Sequence, residues 1–158
     1  MPNWCENTLT IKGPDKTIKK FIKIAKARGT ALSLNKFFPM PKELENTRAP
    51  ALDNTKHQRA QNKRLRGKYG YDNWYDWRCH NWGIKWDVTA QLVEQTNGRA
   101  SYLFDSPWAP PEAWLDTVAK KYPDLRFTLK YSEPGMGFRG CRIVKDTKII
   151  RDSYYVNE

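Results

Sequence analysis

GIKWDVTAQLVEQTNGRASYLFD, residues 83–105, decides the fold that the sequence predicts. From Ile84 the apolar side chains alternate with polar ones as far as Leu92, which is the period-two pattern of a half-buried β-strand. Asn97-Gly98 comes next, and this dipeptide strongly favours a two-residue hairpin turn. Residues 100–105 then predict the returning strand. The middle of the chain is therefore expected to be an antiparallel hairpin.

A strand and a helix are predicted before this hairpin. Residues 7–12 alternate as NTLTIK, with Leu9 and Ile11 on one face, and Pro14 suits the first turn of a helix. Apolar side chains recur at helical spacing from residue 18 to residue 25, and Gly29 is the expected stop. Residues 31–44 begin extended and are interrupted by two prolines, so any strand there is short or at an edge.

After the hairpin, the sequence predicts a second helix and three further strands. Residues 125–131 are expected to form a strand, and CRIVKD with TKIIRDSYYV to form a hairpin that turns at Asp146-Thr147. The buried stripe of the second helix is predicted to be Trp114, Leu115, Val118 and Tyr122.

This order of elements predicts an α+β fold. Two amphipathic helices can bury their stripes against one face of an antiparallel sheet, which is the ferredoxin-like split βαβ arrangement. We expect one domain over residues 1–158, with a basic and aromatic insertion at about 37–82 and an extra C-terminal hairpin. Seven Trp and eight Tyr supply apolar area for the core.

The charge of the chain favours an anionic partner. There are 28 Lys and Arg against 17 Asp and Glu, for a net charge of +11. Such an excess is typical of proteins that bind nucleic acid, phosphorylated small molecules or acidic protein surfaces, although it also simply favours solubility. No stretch resembles a membrane span or a signal peptide, so we expect a cytoplasmic protein that does not bind membranes.

The cysteines and histidines predict neither a disulfide framework nor a metal site. Cys5, Cys79 and Cys141 are odd in number and widely spaced, which favours reduced thiols. With His57 and His80 they lack the close paired spacing of zinc ligands. We therefore expect no metal and no cofactor.

Five stretches together resemble a known family. They are MPNWCEN at the start, FFPMPKEL at 37–44, WRCHNWGIKWD at 77–87, FDSPWAPP at 104–111, and GMGFRG at 135–140. They are similar to the YubB ferredoxin-like domain family of small phage- and plasmid-encoded proteins, although Ile84 stands where that family usually has Thr. The resemblance implies a ferredoxin-like core and a mobile-element origin, in which proteins often bind or counter host components. It implies no settled activity.

Two neighbouring features predict the binding site. A run of Lys and Arg at 56–68 could neutralise phosphates, and the block YGYDNWYDWRCHNWGIKWD at 69–87 could offer rings on which bases stack. Alternatively, the run is a solvated loop or short helix and the rings are core. Asn side chains could read base edges. The predicted ligand-binding residues are Lys63, Arg64, Arg66, Asn73, Trp74, Trp77, Arg78, Asn81, Trp82, Lys85 and Arg139.

We therefore expect a non-enzymatic protein that captures single-stranded nucleic acid or a small nucleotide, and that in its host could counter defence. A docking inhibitor of an acidic host protein is the alternative, because Trp, Tyr and Arg also anchor protein interfaces. The third possible function is that of a nuclease that acts through His80. This residue lies near Asp72, Asp76 and Asp87 in sequence.

The GMGFRG turn could also cradle a phosphate beside Arg139. The oligomeric state is left open.

Overall fold

The computed structural model describes residues 1–157, and an antiparallel sheet of six strands dominates it. The strands are β1 (Trp4–Lys12), β2 (Ala90–Thr96), β3 (Arg99–Pro107), β4 (Arg126–Glu133), β5 (Phe138–Lys145) and β6 (Lys148–Val156). The helices are α1 (Asp15–Ala25), α2 (Leu34–Phe37), α3 (Lys56–Tyr69), α4 (Trp74–Asn81) and α5 (Glu112–Ala119), with a 3₁₀ turn at Lys42–Leu44.

The sheet has the strand order β2-β3-β1-β4-β5-β6. β1 pairs with β3 on one side and with β4 on the other, so the first four strands and the helices α1 and α5 form the ferredoxin-like split βαβ unit. β5 and β6 extend the sheet beyond β4 as the predicted C-terminal hairpin. Asp146 and Thr147 make its turn with φ values of 52° and 64°, which a primed two-residue turn requires. The predicted α+β fold class is confirmed.

The core lies between one face of the sheet and the helices. Phe21 of α1 packs against Tyr102 and Phe127, with ring centroids 6.4 and 6.0 Å apart. Trp114 of α5 is buried and its indole N–H donates to the Leu34 carbonyl at 3.0 Å. These contacts place α1 and α5 on the same face, as the sequence predicted, and attach α2 to them.

The segment between α1 and β2 contains the helices α2, α3 and α4 and the 3₁₀ turn. The basic run forms α3, which begins with a capping box between Thr55 and Gln58 and ends at Gly70, whose φ is 82°. α1 ends at Ala25 rather than at Gly29, because reciprocal backbone hydrogen bonds between Ala27 and Thr30 close a turn there. Residues 31–44 form α2 and the 3₁₀ turn instead of a strand.

The strand predicted from Ile84 begins only at Ala90. Residues 84–89 leave the sheet because the carboxylate of Asp87 is held by the start of α2. It accepts hydrogen bonds from the Ser33 hydroxyl at 2.6 Å, the Leu34 N–H at 2.7 Å and the Asn35 N–H at 3.3 Å. Ile84 and Val88 are buried as the period-two pattern predicts, but Trp86, which the pattern places on the same face, is exposed. The pattern is therefore only partly correct for burial where the segment leaves the sheet.

Replacing Asp87 should therefore destabilise the protein. Asp87→Asn substitutes a neutral amide for an acceptor-only carboxylate, so at least one donor at the start of α2 loses its partner, at a cost of about 1–3 kcal/mol. Urea unfolding followed by circular dichroism measures this loss. Asp53→Asn, at an exposed position, is the control and should stay within about 0.5 kcal/mol of the parent. Equal midpoints for the two variants would contradict the role of Asp87.

Candidate functional site

The face of the sheet opposite α1 and α5, called the open face below, is polar along its centre. In β1 the side chains that point away from the core are Trp4, Glu6, Thr8, Thr10 and Lys12, and each is exposed or half-buried. Their neighbours Cys5, Asn7, Leu9 and Ile11 are buried on the helix side. A sheet with one covered and one open face shows this alternation.

The register between strands concentrates positive charge at one end of this open face. Lys12 lies directly opposite Arg99 in β3 and directly opposite Arg126 in β4. The three residues form a row, called the basic row, across strands about 4.8 Å apart. Like charges in directly opposite positions destabilise a sheet, so the row favours an anionic ligand. Glu94 pairs with Arg99 at 2.9 Å and relieves part of the repulsion.

Hydroxyl groups and a further lysine lie beside the basic row. Thr10 and Ser101 are hydrogen-bonded across β1 and β3 at 3.1 Å, and Lys130 lies opposite Thr8. Together with Thr128 and two members of the basic row, Lys12 and Arg99, they line a shallow depression of about 380 Å³, called the hydroxyl depression. Hydroxyl, ammonium and guanidinium groups all donate hydrogen bonds to phosphate oxygens.

The other end of β1 carries aromatic and acidic side chains. The rings of Trp4 and Trp86 lie 6.3 Å apart between centroids at an angle of 40°. They line a cleft of about 270 Å³, called the tryptophan cleft, together with Asp87, Thr89 and Asp105. Both rings are exposed, at 44% for Trp4 and 39% for Trp86. Two accessible indoles facing one cleft are suited to stacking on a flat or cationic ligand.

Two of the predicted binding residues lie beside the open face. The Lys85 ammonium lies 4.4 Å from the centroid of the Trp86 ring. Arg139 in β5 lies opposite Ser132 and Tyr155, and its guanidinium is 5.9 Å from the Tyr155 ring centroid. Both cations therefore flank the aromatic end of the sheet.

The predicted stacking rings require correction. Trp82 is fully buried and Trp77 is 5% exposed, because they pack edge to face at 5.8 Å inside the insertion. Their faces are therefore core contacts and are not available to a base. Trp74 is half-buried and lies over the Arg78 guanidinium at 5.3 Å, with Trp82 on that guanidinium at 5.2 Å. Burial between the rings lowers the pKa of Arg78.

The two asparagines predicted to read bases are engaged within the protein. Asn73 is buried as the N-cap of α4, where its carbonyl oxygen accepts from the Asp76 N–H at 2.9 Å. Its amide also donates to the carboxylates of Asp72 and Asp76. Asn81 donates to the Trp77 carbonyl at 2.9 Å. This use of Asn73 corrects its predicted role, since its donors and acceptor are already satisfied.

The basic run is partly neutralised by local acids. Glu43 accepts from Arg64 at 2.7 Å, from Lys68 at 2.8 Å and from the Tyr69 hydroxyl at 2.6 Å. Hydrogen bonds from Lys68, Tyr69 and Arg64 lower the pKa of Glu43 to about 2, and the bond from Lys68 has the largest effect. Arg66 pairs with Asp72. Of the predicted phosphate contacts on α3, Lys63 is exposed, whereas Arg64 and Arg66 already have carboxylate partners.

The glycine-rich turn at 135–140 does not offer its amides to a phosphate. The buried carboxylate of Glu133 accepts from the Gly135 N–H at 3.0 Å and from the Met136 N–H. An anion cannot replace this carboxylate without leaving a charge buried and unpaired. The turn therefore closes a strand connection, and the predicted phosphate cradle is wrong.

The residues considered for catalysis and metal binding are dispersed. The His80 ring is exposed and lies 5.4 Å from the Tyr71 ring. The three acids near it in sequence bond elsewhere: Asp72 to Arg66, Asp76 to Asn73, and Asp87 to α2. Cys5, Cys79 and Cys141 are free thiols. Within residues 1–157 no group of three or more His, Cys, Asp or Glu is placed to hold a metal ion.

The open face was missed by reasoning from the sequence. Its only sequence signal is the polar half of each alternating strand, such as Thr8, Thr10 and Lys12. Such residues usually indicate simple exposure to solvent. Strand register brings Lys12 beside Arg99 and Arg126, which are 87 and 114 positions away in the chain.

These features define the chain as an α+β protein with a ferredoxin-like fold and a charged open sheet face. Residues 81–157 match the family model described as "Ferredoxin-like domain in Api92-like protein". The crystal structure of a protein Api92 from Yersinia pseudotuberculosis aligns over 100% of this chain and 99% of that one, with a TM-score of 0.58 and 10% identity. At that identity the likeness shows the fold alone. A search of curated proteins found no match.

The contacts of the Glu43 carboxylate with α3 predict that the stability of the protein depends on pH. The folded pKa of Glu43 lies below its ordinary value of 4.5, so its contacts stabilise the protein fully above pH about 4.5 and lose that effect as the pH falls towards about 2. Glu43→Gln should therefore lower the urea midpoint at pH 6 and match the parent near pH 2. Because the contacts are exposed, 1 M salt should also narrow the difference. If the difference in urea midpoint between Glu43→Gln and the parent is the same at pH 2 as at pH 6, the stabilising role of the ionised Glu43 carboxylate is contradicted.

No helix among the described residues is long and apolar enough to cross a membrane.

Proposed function

We propose that this protein is a non-enzymatic binder of single-stranded nucleic acid and that the strand lies along the open face. The main support for this proposal is the basic row, in which Lys12 lies directly opposite Arg99 in β3 and Arg126 in β4. A phosphate between these side chains would relieve their repulsion. Lys130 and the hydroxyls of Thr8 and Thr10 would continue the phosphate path towards the tryptophan cleft.

The dimensions favour an oligonucleotide over a small nucleotide. From Trp4 to Lys12, β1 spans eight residue steps, which is about 26 Å. A stacked single strand advances about 3.4 Å per nucleotide, so up to about eight nucleotides fit between the two ends. A mononucleotide reaches either the basic row or the tryptophan cleft. Stacking on Trp86 and phosphate contact at Lys12 together therefore require several linked nucleotides.

Single strands suit the open face better than a duplex does. In a duplex the bases are stacked within the helix, so their flat faces cannot reach a ring on the protein. The exposed indoles of Trp4 and Trp86 would stack on bases that are splayed from a single strand.

The biological setting that we propose rests on the motifs that resemble the YubB family. In this setting the protein would act in the cytoplasm of the host cell and meet single-stranded intermediates of the mobile element. A protein that covers such strands would protect them or withhold them from host nucleases. The family-model match over residues 81–157 supports the fold of this proposal.

Binding should depend on salt through the lysines of the open face. If about four cations contact phosphates, the log–log slope of affinity against salt for a fluorescein-labelled 12-mer of deoxythymidine should be about −2.8. Lys12→Ala with Lys130→Ala removes two of these contacts and should bring the slope to about −1.4. Fluorescence anisotropy at several salt concentrations measures both values.

Two matched double variants locate the site. Lys20→Ala with Lys23→Ala removes the same charge from α1, on the other side of the sheet, and should leave the slope unchanged. Lys56→Ala with Lys63→Ala tests α3. If the α3 double variant makes the slope less negative and the open-face double variant does not, the site lies in the insertion. Folded protein that binds no oligonucleotide at low salt would overturn the proposal and favour docking on an acidic protein.

A further inference from the structure

We infer that the tryptophan cleft is a base-selective pocket that takes a guanine of the bound strand. The inference rests on the proposed single-strand binding and adds sequence preference at one end of the open face. It is carried by two accessible indoles, the space between them, and an acidic side chain at the wall of that space. The sequence analysis includes Trp86 in the aromatic block that could stack on bases, but it assigns neither Trp4 nor Asp105 to a site.

The spacing of the rings suits an inserted base. Stacked bases are about 3.4 Å apart, so a base between two parallel rings requires about 6.8 Å between the rings. The Trp4 and Trp86 centroids are 6.3 Å apart and the rings are tilted by 40°, so the cleft is already open on one side. Trp4 lies in β1, whereas Trp86 lies in the irregular segment 82–89, outside the sheet. A base that displaces the Trp86 ring would therefore leave the strand pairing intact.

The carboxylate in the cleft favours guanine among the bases. Asp105 is exposed and, like any ionised carboxylate, only accepts hydrogen bonds. Guanine presents two adjacent donors on its Watson–Crick edge, N1–H and the 2-amino group, which match the two oxygens of one carboxylate. Adenine and cytosine place an acceptor beside their amino group, and thymine places a carbonyl on each side of its N3–H. Those acceptors would repel the carboxylate.

Asp105 is available for such a contact because the protein does not satisfy it. In the direct register of β1 and β3 it faces Glu6, another exposed carboxylate. The ion pairs and side-chain hydrogen bonds of residues 1–157 engage neither of the two. Opposed like charges cost stability, and two N–H donors placed against them would offset that cost. Asp87, the other acid of the cleft, is by contrast occupied by α2.

The test compares 12-mers of deoxythymidine in which one central nucleotide is replaced. We expect a single dG to tighten binding by about ten-fold over dA, dC or the parent oligomer, which lies within the range for a bidentate contact to a base. Deoxyinosine keeps N1–H but lacks the 2-amino group, so its affinity should lie between those of dG and dA. Anisotropy competition at fixed salt gives the ratios.

The Asp105→Asn variant distinguishes recognition of guanine from the overall electrostatic attraction between the protein and the strand. Removing a negative charge should leave the affinity for the parent oligomer unchanged or raise it, whereas the dG preference should fall to within about two-fold. Asp53→Asn removes a charge from the insertion and should keep the ten-fold preference. Circular dichroism confirms that each variant is folded.

The outcomes distinguish this inference from the proposed function. Equal affinity for all the oligomers would overturn guanine selection and leave strand binding intact. A dG preference that survives Asp105→Asn would place the selection elsewhere and overturn the inference as well. Absence of binding by any oligomer would overturn the proposed function itself.

Removal of a ring should weaken binding through lost stacking. Trp86→Ala should lower the affinity for the dG-containing oligomer by about ten-fold, because the inserted base loses its stacking contact with that ring. Trp86→Phe retains a ring and should recover most of the loss. Trp108→Ala removes a similarly exposed indole that does not line the cleft and should bind as the parent does. Equal binding by Trp86→Ala and Trp86→Phe would exclude stacking at this ring.

Discussion

The pairing of β1 with β3 on one side and β4 on the other is the constraint on which the rest of the structure depends. Because β1 lies inside the sheet, its core-facing residues Leu9 and Ile11 are fully buried against the helices. The same register fixes which polar side chains adjoin on the opposite face. A shift by one residue would move every side chain to the other face, so the core and the candidate site are specified together.

Aromatic residues supply much of the buried area in this chain. Phe21 and Phe37 stack at 4.4 Å, and Trp114 packs edge to face on Phe37 at 5.9 Å. Trp82 joins the insertion to this core because its backbone carbonyl accepts from the Trp114 N–H at 3.3 Å. Its indole N–H donates to the Phe38 carbonyl within the insertion at 2.9 Å. Large rings with one polar atom can fill a core and also hold loops through that atom. The stretches at 37–44 and 77–87 thus meet inside the protein.

The net charge of the chain does not show which part of its surface is free to bind an anion. The basic helix α3 looks like the more positive feature in the sequence, yet Glu43 and Asp72 pair with three of its cations. Lys12 and Arg126 lie side by side on the open face, and the excess charge there is available to an anion. Residues distant in sequence thus decide where a net charge of +11 acts.

Much of the fold could be predicted from the sequence, because local patterns determine local structure. The alternation in residues 7–12, the Asn97-Gly98 turn and the helical spacing from Ile18 to Ala25 each depend on neighbouring side chains. The strand predicted from Ile84 was wrong for its first six residues, because a distant hydrogen bond from α2 to Asp87 competes with sheet pairing. A periodic pattern depends on residues close in sequence, so it cannot predict such a contact or the exposure of Trp86 that accompanies it.

The candidate site was decided by tertiary structure. The sequence by itself determined a basic, aromatic-rich α+β chain and the strands that carry its polar residues. Only the folded protein decided which rings are core, as Trp77 and Trp82 are, and which are exposed, as Trp4 and Trp86 are. The physical reason is that burial and strand register depend on contacts between residues far apart in the chain, and no local spacing encodes them.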